Sequence, residues 1–282
     1  MIPFLKMNGL GNDFVVIDQR TISAHAAPLP EIDSALAQRI ADRRRGVGFD
    51  QLVLIEDSRN SSATAYLRFL NADGSESGAC GNGARCAAAQ LMREMNSTDI
   101  VIETESGLTT AIVCDDGAVS VDQGLAKMDW RDVPLAHDMD TLHLNLSLEN
   151  VSDPVAVGMG NPHCVFFVDD ADSVEVERLG AQLEISPLFP ERTNVEFASV
   201  RDRSHIRMRV WERGVGVTQA CGTGACATAV AAHLRGFCDR EAEIVLDGGS
   251  LFTTYREDGH VLLRGPVEWN FSGQFDDGNA TP

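Results

Sequence analysis

Two stretches decide how this chain folds: Ala79-Cys-Gly-Asn-Gly-Ala-Arg-Cys-Ala-Ala-Ala89 and Ala220-Cys-Gly-Thr-Gly-Ala-Cys-Ala-Thr-Ala-Val230. Each sets a cysteine before a Gly-x-Gly step and then a run of small, nearly uncharged residues that suits a helix enclosed by strands. Placing Cys80 over Cys221, an offset of 141 without gaps, also aligns Arg68 with Arg209, Ala79 with Ala220, Gly81 with Gly222, Gly83 with Gly224, Ala84 with Ala225 and Ala88 with Ala229. Upstream, Gly9-Leu-Gly-Asn12 echoes Gly158-Met-Gly-Asn161, and each is followed by an apolar strand-like run ending in Asp. The order GxGN, strand, strand, Cys-Gly-x-Gly, helix therefore occurs twice, which reads as an internal duplication.

Working outward, Phe14–Ile17, Leu52–Ile55, Tyr66–Leu70, Ile100–Thr104, Cys164–Val168 and Glu243–Leu246 read as strands. Strict alternation over Leu142–Leu148 and Ile206–Val210 predicts two more, each buried on one face. Helical patterns cover Glu31–Arg45 and Asp172–Leu183 as well as the Ala-rich stretches Gly83–Met95 and Gly224–Leu234. Strands and helices do not alternate regularly, so a doubly wound parallel sheet is not expected. The reading is α+β: two pseudo-symmetric domains, each of mostly antiparallel strands wrapped around a central helix, with equivalent turns facing across an interdomain cleft.

Composition narrows the function. The chain has 282 residues, and 42 acidic against 23 basic residues give a net charge of −19. Such a surface repels phosphate backbones, so neither nucleic acid nor an anionic membrane is an expected partner. Only Lys6 and Lys127 carry an amine, which leaves few candidates for a pyridoxal Schiff base. No secretion signal or spanning segment is visible; the longest uncharged apolar stretch, 220–234, is short for one. A cytoplasmic protein with reduced thiols is expected. The seven cysteines (80, 86, 114, 164, 221, 226 and 238) contain no C-x-x-C pair, so no metal site is expected. The five outside the repeated turns read as core or surface residues. Gly46-Val-Gly-Phe and Gly214-Val-Gly-Val complete neither a dinucleotide nor a P-loop motif.

The repeated turns permit a particular chemistry. The first amides of a helix have no intrahelical partner and carry the positive end of its dipole, which makes a carboxylate site. Both helix starts are expected to be exposed, and the same field should lower a thiol pKa. Two such units, one thiol to each face of an α-carbon, would supply a base on one side and an acid on the other. One proton shared between the two sulfurs would then let the pair invert a stereocentre without a cofactor.

Along nearly its whole length the chain resembles the diaminopimelate epimerase family, in KMNGLGNDFVVID (6–18), GVGFDQL (46–52), FLNADGSESGACGNGARC (69–86), MGNPHCVFFVDD (159–170), FPERTNVEF (189–197), VWERGVGVTQACGTGACA (210–227) and DGGSL (247–251). The resemblance implies cofactor-free interconversion of LL- and meso-diaminopimelate on the route to lysine and peptidoglycan. It implies Cys80 as proton donor and Cys221 as acceptor in the LL-to-meso direction, the roles exchanging on reversal. Gly81, Asn82, Gly222 and Thr223 correspond to the family's clamp on the reacting carboxylate. Asn12, Gln51, Asn71, Asn161, Asn194, Glu212 and Arg213 correspond to its substrate contacts. His163 corresponds to a histidine needed for full activity, and Glu212 assists as well. The family fold implies one domain from 1–122 with 266–282 and another from 123–265, and a homodimer.

The chain departs from the family at Val217, where an acidic residue is usual, and at Gly78 and Ala79. The alternatives are a proline or hydroxyproline racemase of similar fold, for which Arg213, Asn71 and Asn194 would have no partner, and a non-catalytic protein in which Cys80 and Cys221 form a switchable disulfide.

Overall fold

The computed structural model describes residues 1–20, 29–78 and 80–276. Ala79 and the tail from 277 onward lie outside the described residues. In chain order the principal elements are β1 (Ile2–Gly9), β2 (Asn12–Asp18), α1 (Ser34–Ala41), β3 (Gln51–Glu56), β4 (Ala65–Asn71), α2 (Gly81–Met95), β5 (Asp99–Thr104), β6 (Gly107–Val113) and β7 (Val119–Leu125). They continue with β8 (Val155–Gly158), β9 (Pro162–Phe167), α3 (Val176–Glu184), β10 (Asn194–Asp202), β11 (His205–Glu212), α4 (Gly222–Leu234), β12 (Glu241–Leu246), β13 (Gly249–Tyr255), β14 (His260–Gly265) and β15 (Glu268–Phe275). The chain forms two compact units, Met1–Val121 with Gly265–Pro282, and Asp122–Arg264.

In the first unit β1 and β2 form a hairpin closed by Leu10 and Gly11, both at positive φ (57° and 79°), the turn geometry that matches strand twist. β2 runs parallel to β3 after α1, β3 antiparallel to β4, and β4 parallel to β5 after α2; β6 and β7 follow antiparallel, and β15 returns to pair with β1. Strand alternation divides the core. Phe14, Val16, Val53 and Ile55 pack on the α2 side, with Ala84, Ala88, Leu91 and Met92 of that helix. Val15, Ile17, Leu52 and Leu54 pack on the other side, with Ala37 and Ile40 of α1.

The second unit repeats this path. β8 and β9 form a hairpin, β9 runs parallel to β10 after α3, β10 antiparallel to β11, and β11 parallel to β12 after α4; β13 and β14 follow antiparallel. The register matches as well: Leu54 pairs with Arg68 in the first unit and Phe197 with Arg209 in the second. The duplication legible in the sequence is thus a duplication of strand order, pairing sense and register, in an α+β fold.

The strand expectation for Leu142–Leu148 is corrected: only Ser147–Leu148 is extended, in a two-residue ladder with Val151–Ser152. Leu144 is still buried among Val133, Leu135 and Phe189. The alternation there records alternating burial of an irregular segment whose Leu144 N–H is taken by the Pro154 carbonyl. The helix expected over Glu31–Arg45 is shorter. It starts at Ser34, where the Asp33 carboxylate caps the Leu36 amide at 2.8 Å, and ends before Asp42.

The first hairpin turn is anchored by charge. Lys6 and Arg43 both bind the Asp13 carboxylate, Arg43 at 2.7 and 3.0 Å, and Arg43 also reaches Asp50 at 2.8 Å. Burial alone would raise the Asp13 pKa, but the hydrogen bonds from Arg43 and Lys6 prevail and hold it well below the ordinary 3.8. A carboxylate with a depressed folded-state pKa contributes stability above its unfolded pKa and loses it as pH falls toward the folded value. The Arg43→Gln protein is expected to be less stable than the parent near neutral pH, by a margin that shrinks as pH falls below the ordinary carboxylate range toward the folded-state value, measured by urea denaturation at a series of pH values.

Candidate active site

Both repeated cysteines are helix N-caps. Cys80 stands at φ −148° and ψ 107° before α2, and its Sγ accepts the Gly83 amide at 3.3 Å. Cys221 stands at φ −116° and ψ 109° before α4, and its Sγ accepts the Gly224 amide at 3.3 Å. In each case the cysteine carbonyl takes the next amide, Ala84 at 2.8 Å and Ala225 at 3.0 Å. The sulfur therefore occupies the third amide of the helix. The amides of Gly81 and Asn82, and of Gly222 and Thr223, are those a helix start leaves without an intrahelical partner. This arrangement holds a thiol beside an anion-binding helix end.

The cysteines differ in surroundings, and the expected exposure is corrected: Cys80 is partly exposed, whereas Cys221 is buried at 5% exposure. The expected lowering of the thiol pKa is also corrected at Cys221. Burial, then the carboxylates of Glu212 and Glu196, push it well above the ordinary thiol value, while the Gly224 amide and the Thr223 hydroxyl pull the other way and lose. A helix start contributes at most about 2 kcal/mol to a charge at its end, whereas full burial can shift a pKa by roughly 3–5 units. Burial and the neighbouring carboxylates therefore favour the thiol over the thiolate at Cys221. Glu212, in hydrogen-bond contact with it, is itself pushed above the ordinary carboxylate value by burial, although the Thr218 hydroxyl donates to it. A thiol beside a carboxyl of raised pKa is a pair that can pass a proton.

The amides assemble around these helix starts within each unit. In the first, Asn82 donates to Asn12 Oδ1 at 3.2 Å, Asn12 donates to Asp50 at 3.0 Å, and Gln51 donates to Asn71 Oδ1 at 2.9 Å across the β3–β4 ladder. In the second, Asn161 donates to Thr223 Oγ1 at 3.5 Å and lies 2.9 Å from His163 Nε2. Asn194 Oδ1 accepts the Arg213 amide at 2.9 Å. Glu212 and Arg213 do not ion-pair with each other; the Arg213 guanidinium donates to the Glu191 carbonyl at 3.1 Å. Val217 pairs with Trp211 in a short strand beside Thr218, and a Cβ on Gly78 would meet Glu105 at 3.3 Å.

Sequence reasoning missed several supporting groups. Asp50 accepts from Asn12 and from the Asp13 amide. Glu184, 5% exposed, takes the Trp211 indole at 2.6 Å and the Gly214 amide at 3.0 Å, and so braces the turn carrying Arg213. Glu196, fully buried, binds His163. The one available signal was a charge in the otherwise apolar strand Val195-Glu-Phe-Ala-Ser-Val200. Among the described residues no group of three or more His, Cys, Asp or Glu could hold a metal ion, and no helix is long and apolar enough to cross a membrane.

The fold is shared with solved isomerases and their relatives. A hydroxyproline epimerase from Agrobacterium vitis matches with a TM-score of 0.68 at 15% identity, over 97% of this chain and 92% of that one. A phenazine biosynthesis protein of the PhzF family from Bacillus anthracis matches with a TM-score of 0.66 at 16% identity, over 96% and 98%. Residues 4–128 and 155–270 match the diaminopimelate epimerase family. Diaminopimelate epimerases of Acidiphilium cryptum and Rhodospirillum centenum are 52% and 51% identical, over 99% and 96% of this chain and 98% and 91% of theirs. The chain belongs to the diaminopimelate epimerase family, and it is an isomerase of the epimerase class.

Because Glu212 holds the Cys221 thiol up, Glu212→Gln should make that thiol ionise at a lower pH. Alkylation of Cys221 by iodoacetamide, followed by peptide mass spectrometry across pH, is expected to reach half its maximal rate at a lower pH in the variant; an unchanged or raised midpoint would contradict the charge argument.

Proposed function

We propose that this chain interconverts LL- and meso-2,6-diaminopimelate by moving a proton at one α-carbon, with Cys80 and Cys221 as the two acid–base groups and without a cofactor. The observation that carries the proposal is the repeated sulfur N-cap, with two helix amides left beside each thiol, in a chain of this family. In this reading the two domains are 1–122 with 266–282, and 123–265. The sulfurs act on opposite faces of one carbon, and the amides of Gly81, Asn82, Gly222 and Thr223 grip the reacting carboxylate. Negative charge that builds on the carboxylate as the proton leaves is met by those amides.

The proton balance is simple. One sulfur, as thiolate, takes the α-proton; the other, as thiol, gives its proton to the opposite face, and the pair ends with the protonation exchanged. With Cys80 as donor and Cys221 as acceptor for LL-to-meso turnover, Cys221 must first release its proton. Glu212, in contact with it, is the group that can receive that proton. The reverse direction starts from the protonated Cys221 that burial favours.

Asn12, Gln51, Asn71, Asn161, Asn194, Glu212 and Arg213 would hold the substrate's two amino-acid ends, since amides can accept from an ammonium and donate to a carboxylate while Arg213 takes a carboxylate in a fork. His163 and Glu212 would assist the thiols. We extend the proposal to a cytoplasmic homodimer serving lysine and peptidoglycan precursor synthesis, its assembly to be measured by light scattering after gel filtration.

The test is incubation with LL-diaminopimelate in heavy water with a reductant and no added cofactor. The expected product is meso-diaminopimelate carrying solvent deuterium at one α-carbon, and proline and hydroxyproline should keep their configuration. Cys80→Ala and Cys221→Ala should each lower turnover by at least about 100-fold, the lower end of what a positioned acid or base contributes. Near-normal turnover by either variant would refute the two-thiol scheme. Binding without turnover under reducing conditions would favour a redox or ligand-binding protein.

A further inference from the structure

The duplication makes each unit a control for the other, and the two differ in the floor beneath their helix starts. In the parallel ladders Phe14 pairs with Gln51 and His163 with Asn194, so His163 occupies the position of Phe14. Two residues further, Val53 and Glu196 correspond in the same way. In the first unit a Cβ on Gly83 would touch Phe69 and Val53 at 3.2 Å and Phe14 at 3.3 Å, an apolar floor beneath the helix start. In the second, a Cβ on Gly224 would lie 2.8 Å from Glu196 Oε1. The floor beneath the Cys221 helix is thus an ionisable pair: His163 Nδ1 lies 2.6 Å from Glu196 Oε1, and both side chains are fully buried.

Folding does not account for this pair. The first unit reaches the same topology with Phe and Val at these positions. Glu196 Oε2, moreover, is buried with no hydrogen-bond partner among the described residues. An unsatisfied buried polar atom costs about 1–3 kcal/mol, and buried pairs rarely stabilise more than apolar side chains of the same volume. Proton counting suggests what the pair does. His163 has an oxygen on each side, Glu196 Oε1 at Nδ1 and Asn161 Oδ1 at Nε2, the latter at 2.9 Å. Nε2 must then carry a proton and donate it to Asn161, whether the proton at the other end sits on Nδ1 or on the carboxyl. With Oδ1 committed, the Asn161 amide turns its N–H donors toward Thr223, 3.5 Å away at the helix start. Without Glu196 nothing would hold the ring at Nδ1, and a tilted ring or the other tautomer would leave the orientation of the Asn161 amide unspecified.

We propose that Glu196 is a positioning residue: bonded to Nδ1 of His163, it fixes the imidazole with Nε2 facing the Asn161 oxygen and so holds the Asn161 amide with its donors facing the anion-binding start of α4. The inference rests on the reading above only in taking the ligand's carboxylate to bind there. The ionisable groups around the pair are Cys164, next to His163 on β9, Cys221 at the cap of α4, and Glu212 at the end of β11; each interacts electrostatically with Glu196 or His163.

The test is a double-mutant cycle with Glu196→Val, His163→Phe and both together, the double variant carrying the floor residues of the first unit. Folding is checked by circular dichroism and thermal melts, and kcat and KM are measured with diaminopimelate. Glu196→Val is expected to raise KM by at least tenfold in the native background and to change kcat/KM less than threefold in the His163→Phe background. An effect below threefold in the native background, or an equal loss in both, overturns the proposal. A second readout needs no variant: the ¹⁵N spectrum of His163 in the ligand-free native protein should show Nε2 bearing the proton it donates to Asn161, and a bare Nε2 overturns the proposal. Should the native protein fail to epimerise diaminopimelate, the functional reading fails, while the ¹⁵N result still decides the role of Glu196.

Discussion

A sulfur atom accepting the third amide of a helix is the contact on which the rest of this structure depends. Sulfur is a weak acceptor, and oxygen side chains are the usual caps. The bond nevertheless does two things at once. It fixes Sγ at the mouth of the helix start, and it consumes the third amide while leaving the first two for a ligand. Glycine follows because the sheet floor lies directly beneath: a Cβ at Gly83 or Gly224 would press on the residues below. The Ala-rich helices follow from the same enclosure, since strands surround α2 and α4 closely enough that small side chains fill the gap.

The two halves use one backbone frame for two electrostatic settings. Beneath Cys80 the floor is Phe14, Val53 and Phe69; beneath Cys221 it carries His163 and Glu196, with Glu212 alongside. Burial and negative charge push the Cys221 thiol pKa up despite the helix start at its back. A two-base epimerase needs its two groups in opposite protonation states at the start of each turnover, and duplicated environments would not by themselves distinguish them. The departures from internal symmetry are therefore where chemical function is expected to concentrate, and the Glu196–His163 pair is a fully buried one.

Much of the fold was legible because it is carried by short-range signals. Phe14–Ile17 and Leu52–Ile55 lie within strands as their β-branched composition required, and both Ala-rich stretches are helices. Leu142–Leu148 misled because alternating burial does not require an extended ladder. At the site, Cys80, Cys221 and the Asn-bearing turns stood out through the repeat and the family motifs. Asp50, Glu184 and Glu196 did not, because each works through a contact with a residue distant in sequence, such as Trp211 for Glu184 or His163 for Glu196.

By itself the amino-acid sequence determined the duplication, the α+β class and the placing of a cysteine before each buried helix, because residue order, period and turn chemistry act over a few neighbouring positions. Only the tertiary structure decided the direction in which the Cys221 thiol is pushed and the orientation of Asn161. Those depend on which side chains β9, β10 and β11 bring beneath and beside the start of α4, and on how completely water is excluded there, and neither quantity is a property of any local stretch of the chain.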